Sequence, residues 1–337
     1  MALTPIEALN KVVENRVAIA RLTGFRFLAN LAEAGRIFPY YKTNIDWDVE
    51  VGGSTAAWEA VTANSAGTGT ADVVPANLRI GQYRLKHQFN ISKISIQEAA
   101  SVAPSDLTDL FGAHTDRALN ILMRTLNTAI YLGDGTATYG QMIGLAKLAD
   151  PTYAYAGVNP TTYPAWVPNA LTNAGVGRAL TRNLMLDLDE QMALKETMYD
   201  FVLTHPTTAK KYVQLFDTIA GESSVPIREG EAGLKSVDLG HGGRYWNGYP
   251  LIEDNMAPVG TIHTFNLADL ELKCFELSNS PGANGVGGHK VNRSYGIPIH
   301  ITELASANSA VRTFEFAIYP QLRLFNRKSY SLIGDLS

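Results

Sequence analysis

A single cysteine, Cys274, among 337 residues excludes any disulfide within the chain. An isolated thiol in such a sequence reads as a small buried hydrophobe. Long apolar runs are also missing. None approaches the roughly 18 residues of a membrane-spanning helix, and the first residues, MALTPIEALNKVVENR, lack the basic and apolar blocks of a secretory signal. Basic clusters are absent too. The 28 Lys and Arg are outnumbered by 32 Asp and Glu, for a net charge of −4, which excludes a basic coat that neutralises phosphates.

Catalytic and metal-binding patterns are equally scarce. The histidines, at positions 87, 114, 205, 241, 263, 289 and 300, have neither ligand spacing nor cysteine partners. His114 falls on a helical pattern and His205 precedes a helix start, so both are read as structural. The glycines from Gly282 to Gly288 could suggest a phosphate loop. Such a loop opens a helix, whereas VNRSYGIPIHI reads as a strand, so these glycines mark a hairpin tip. Gly133-Asp134-Gly135 has neither EF-hand nor nucleotide-loop spacing. No G-x-S-x-G occurs. Asp187 and Glu190 read as a surface carboxylate pair on a helix. These residues offer no catalytic, cofactor or metal site, and the chain is not expected to be an enzyme.

The strongest positive pattern runs from Pro104 to Thr136. Leu107, Leu110, Phe111, Ala118, Leu122, Met123, Leu126, Ala129 and Ile130 recur at steps of three and four, as one buried helical stripe requires. Ser105 is placed to cap the helix, which spans 105–132, and Gly133 is expected to end it in a left-handed conformation. At 1.5 Å per residue such a helix is roughly 40 Å long, which suits a strut in an extended subunit.

Around this helix the chain changes character several times. Residues 4–33 read as helix, opened by Thr4, Pro5 and Glu7 and bent at Gly24. They can dock on their own core or on something else. Asp46–Val51 alternates as a strand, then a stretch rich in Gly, Ala, Ser and Thr follows, then a second alternating run from Leu78 to Ile96. Together these form a projecting hairpin, which is marginal without a neighbouring surface. Trp58, isolated among small residues, is either an anchor for that contact or part of an exposed loop. Residues 151–178 read as a surface loop or short hairpin at a domain boundary. From Leu180 onward helices and strands alternate, as in a separate α/β unit, and the strands after Ile297 are expected to return beneath the long helix.

Taken in order, these parts resemble the major capsid proteins of tailed bacteriophages, the HK97-like family. The resemblance is carried by the arm and hairpin (1–97), by QFNISKISIQEA leading into the helix that ends in YLGDGT before GLAKLA, by VLTHPTTAKKYVQL, and by NGYPLIEDNMAP. It implies an α+β fold with an N-arm (1–38), an E-loop with flanking strands (39–97), and a peripheral domain built on the spine helix (98–178 with 297–337). An axial domain would occupy 179–296. It further implies hexamers and pentamers closing an icosahedral shell around double-stranded DNA, assembled in the host bacterial cytoplasm. Portal and scaffolding proteins would be partners, with room for a decoration protein. Trp58, Arg228 and Arg244 are the expected intersubunit contacts. Some family members cross-link through an E-loop lysine. No lysine lies between Asp46 and Gln82, so the expected shell lacks that bond. An encapsulin-like bacterial nanocompartment, similar in fold but enclosing an enzyme, is the alternative.

Overall fold

The computed structural model describes residues 25–51, 73–80, 84–102, 104–135, 142–220, 244–246, 249–277, 289–294, 297–304 and 310–337. The described residues open with helix α1 (Arg26–Glu33), strand β1 (Ile37–Tyr40), and a ribbon of β2 (Asn44–Glu50) and β3 (Val73–Arg79). Strand β4 (Leu85–Ser92) leads to helix α2 (Lys93–Val102) and the long helix α3 (Pro104–Leu132), followed by the short α4 (Leu145–Leu148). Next come β5 (Asn169–Leu171), α5 (Arg182–Leu194), β6 (Phe201–Thr204), α6 (Pro206–Ala220), β7 (Arg244–Trp246), β8 (Tyr249–Glu253) and β9 (Ile262–Phe265). Strands β10 (Leu270–Phe275), β11 (His289–Ser294), β12 (Ile297–Leu304), β13 (Val311–Ile318), β14 (Pro320–Leu324) and β15 (Ser331–Ile333) complete the chain.

Among the described residues the strands form four sheets: β1-β10-β14, β11-β12-β13-β4, β5-β15-β9-β6-β8-β7, and the two-stranded ribbon β2-β3. Helix α3 runs for 29 residues, about 43 Å at 1.5 Å per residue. Phe111, Ala118, Leu122, Met123, Leu126, Ala129 and Ile130 are buried along it, as the three-and-four spacing predicts. Its first half covers the four-stranded sheet, where Phe111 meets Phe314 edge-on at 5.5 Å and Phe314 stacks on Phe89 at 5.7 Å. Its last turn reaches the six-stranded sheet through Tyr131 and Phe27, so both sheets share one hydrophobic core.

Four local expectations change. First, Ile94 and Ile96 do not extend the strand. The ladder closes at Ser92 opposite Val311, the Lys93 amide turns to the Ala310 carbonyl, and the Gln-Glu-Ala-Ala run favours helix α2. The two isoleucines fit a period of two by coincidence. Second, residues 151–178 do not form a surface loop, because Tyr155 and Trp166 are fully buried and stacked, and β5 joins the six-stranded sheet. Third, the late strands divide. Strand β13 lies beneath α3, but β15 pairs with β5 and β9, so the chain's end belongs to the second sheet rather than to the spine-helix layer.

The fourth concerns Gly133, which ends α3 but has no positive φ; Gly135 takes that role at +80°. Gly133 is required by close approach instead. A Cβ there would run into the carbonyl oxygens of Met142 and Ala129. Gly144 faces it, donates its amide to the Gly133 carbonyl at 2.7 Å, and has Ala129 and Ile130 carbonyls at 2.6 and 2.7 Å from where its Cβ would sit. The two glycines therefore fasten the GDG turn and the Gly-Leu step across the end of α3. All these obstacles are backbone atoms, which cannot swing aside. Replacing Gly144 with Ala should cost at least about 2 kcal/mol of unfolding free energy, measurable as a lower denaturation midpoint.

Candidate assembly surfaces and the core that positions them

The ribbon is two-faced. Ile45, Val49, Val51, Ala76 and Leu78 are buried, while Asp46, Asp48 and Glu50 point outward. Its inner face gains a surface from its own chain. Trp47 packs on Tyr155 at 6.1 Å and edge-on to Phe325 at 6.5 Å. The Arg323 guanidinium lies 3.6 Å from the Phe325 ring centre and 5.6 Å from that of Trp47. Arg323 is itself held by Glu271 at 2.6 Å, which also meets Lys273 at 3.1 Å. An aromatic and ionic patch on the β1-β10-β14 sheet thus fixes the base of the ribbon. Trp47 anchors the described part of the hairpin. Trp58, the residue expected in that role, lies outside the described residues, as does Arg228.

A second junction fixes the helix of the arm. The Phe27 amide donates to Asp254 Oδ2 at 3.1 Å, Asn127 Nδ2 of α3 donates to the same oxygen at 3.3 Å, and the Met256 amide donates to Oδ1 at 2.8 Å. One buried carboxylate therefore collects donors from the arm, the spine helix and the turn after β8. A buried charge without donors would cost several kcal/mol, so these bonds decide whether the site is tolerated. The Phe27 ring fills the space between Tyr131, Phe201 and Phe265 at 5.7–6.0 Å. Residues 26–33 thus dock on their own core; the earlier part of the expected helix, including Gly24, lies outside the described residues. Asp254 sits in the EDN turn of NGYPLIEDNMAP, where an Asx residue is the one available signal.

Further polar fasteners lie outside this junction. Arg327 is completely buried and donates to the carbonyls of Leu148, Tyr153 and Asp150. Burial lowers its pKa to about 10, against the opposing pull of Asp150, so it stays charged at neutral pH. No sequence signal marks this arginine, which stands in an ordinary NRKS turn. His205 is structural, as expected: its ring Nδ1 accepts the Thr207 amide at the start of α6. His263 sits 2.7 Å from the Tyr330 hydroxyl, which donates to the Leu145 carbonyl; Nδ1–H of His263 is then the donor to the phenol oxygen. Arg244 opens β7, opposite Leu251 at the outer edge of the six-stranded sheet.

Among the described residues no group of three His, Cys, Asp or Glu could hold a metal ion, and no helix is long and apolar enough to cross a membrane. Cys274 is buried and its thiol pKa is pushed up by desolvation, which makes it inert as a nucleophile.

No protein-family model matches the chain, and no curated protein matches it in sequence. Solved structures do. The capsid asymmetric unit of cyanophage A-1(L) is similar over 90% of this chain and 90% of its own, with a TM-score of 0.70 at 21% identity. The capsid of a native GTA particle is similar over 91% and 90%, with a TM-score of 0.55 at 13% identity. The holo-SrpI encapsulin complex of Synechococcus elongatus PCC 7942 is similar over 93% and 88%, with a TM-score of 0.54 at 12% identity. The chain has the α+β HK97-like capsid fold, and its likeness is to shell proteins.

The buried His263 gives a pH dependence with a definite sign. Desolvation lowers its pKa from 6.5 to about 4, so the folded state excludes a proton that the unfolded chain binds. Its contribution is complete above pH 6.5 and is lost progressively as the pH falls toward 4. Denaturant titrations should show stability falling by about 3 kcal/mol over that window. The His263→Gln variant should show a visibly flatter profile.

Proposed function

We propose that this chain is the structural tile of a closed protein shell, the major capsid protein of a tailed bacteriophage, and that it acts mechanically rather than catalytically. The observation that carries this reading is the similarity to the cyanophage A-1(L) capsid subunit across nine-tenths of both chains at a TM-score of 0.70. The physical layout agrees with it. One hydrophobic core joins the four-stranded and six-stranded sheets into a single body, and the ribbon turns a carboxylate-bearing face outward, where a neighbouring copy can meet it. Many modest copies of one interface sum to a stable closed assembly.

In this reading hexamers and pentamers of the chain enclose double-stranded DNA without sequence-specific contacts. The net charge of −4 suits a container, because a strongly basic wall would bind the packaged polyanion. A portal and a separate scaffolding protein complete the particle, which forms in the host cytoplasm, and a decoration protein can be added. Trp58 on the hairpin and Arg228 and Arg244 around the axial loop are the proposed contacts between copies. An encapsulin-like nanocompartment is the second reading, supported by the SrpI similarity at a TM-score of 0.54.

Electron microscopy of the expressed protein, alone and with the neighbouring genes of its source, tests both. Closed icosahedral shells are expected, and particles from the complete system should carry nuclease-protected DNA. Shells holding a protein cargo and no DNA would favour the nanocompartment. A protein that stays monomeric under all conditions would overturn the shell reading.

A further inference from the structure

Helix α5 is buried along one side by Leu184, Met185, Leu188 and Met192, which enter the core beneath the six-stranded sheet. Its opposite side carries Leu186, Glu190 and Leu194 at steps of four, with Asp187 alongside. Leu186 is 53% exposed and Leu194 76%, and Met198 just past the helix is 71% exposed. Single exposed leucines are ordinary. Here two share one helix stripe, with carboxylates between them. Neither Asp187 nor Glu190 forms an ion pair among the described residues.

Helix α6 carries the complementary charge. Thr208, Ala209 and Tyr212 face the core, while Thr207, Lys210, Lys211 and Gln214 form the outward side. Lys210 and Lys211 likewise form no ion pair among the described residues. The two stripes do not satisfy each other within the chain. Helix α5 packs on β5 and β15 and α6 packs on β8, with β9 and β6 between them in the strand order.

We propose that the outward face of α5 docks on the outward face of α6 in a second copy of this chain. Asp187 and Glu190 pair with Lys210 and Lys211 of that copy, and Leu186 and Leu194 are removed from water at the seam. The proposal rests on the self-assembly reading and adds to it the two surfaces that meet. Opposite charges fix the partner and register, apolar area holds the contact, and like charges brought together there would oppose it. The contact strengthens at low salt, since the charges are near the surface.

A charge swap tests this. Asp187→Lys with Glu190→Lys, and separately Lys210→Glu with Lys211→Glu, change three exposed side chains and the half-buried Lys211, none of them in the core, so circular dichroism and melting should match the unaltered protein. Each reversal should lower self-association, read as particle yield and as sedimentation velocity of subunits, by about tenfold or more. The four-fold variant carrying both reversals should regain it. A reversal that associates like the unaltered protein, or a swap that recovers nothing, would overturn the proposal. Failure of the unaltered protein to close shells would count against the shell reading alone, because subunit sedimentation still reports the contact.

Discussion

The last turns of the long helix carry the rest of the structure. At Asn127 and Tyr131 this helix leaves the layer it shares with the four-stranded sheet and enters the core of the six-stranded one. Phe27 from the arm is wedged into the same place, and Asp254 binds all three elements through amide donors. The carboxylate makes the arrangement all-or-none in character. Withdrawing any one donor leaves a buried charge short of a partner, which costs more than the bond itself contributes. The two glycines that face each other just beyond, Gly133 and Gly144, hold the chain's exit from the helix against its own final carbonyls.

A rigid centre of this kind determines what the margins can do. The ribbon is fastened by Trp47, Arg323 and Phe325, so its orientation is set by the body of the subunit on which it packs. Its outward carboxylates, Asp46, Asp48 and Glu50, remain on the side away from that body. Helices α5 and α6 expose opposite charges from a single layer. A subunit that presents fixed and unequal surfaces can repeat the same contacts in every copy, and closed symmetric assembly depends on that repetition.

The spine helix was legible because its signal is long: a three-and-four stripe sustained over seven turns admits one explanation. Strand β2 was legible from its alternation, which returns as exposed carboxylates between buried Ile45 and Val49, whereas β12 and β13 bury consecutive residues and carry no such alternation. Short signals misled. Ile94 and Ile96 satisfy a period of two within a helix, and Gly133 could not be distinguished by sequence from a left-handed cap, since only three dimensions reveal the carbonyls pressed against it. The place of β15 depended on partners more than 60 residues away, which no local pattern encodes. Of the candidate contacts, Trp58 lies outside the described residues, and the tryptophan that packs the ribbon on its own chain is Trp47. The fasteners Asp254, Arg323 and Arg327 were missed because a charged residue in a turn or on a strand ordinarily faces water, and nothing in composition shows that its partners will be backbone groups or aromatic rings.

The central claim is that both sheets and the arm form one cooperative body through the end of the spine helix. Native-state hydrogen exchange tests it most directly, by comparing the opening free energies of amides in β13 and in β9. One body requires the slowest amides of the two strands to open with the same free energy, that of global unfolding. A six-stranded sheet that opens at a clearly lower free energy than the four-stranded one would show two independent units, and would contradict the account.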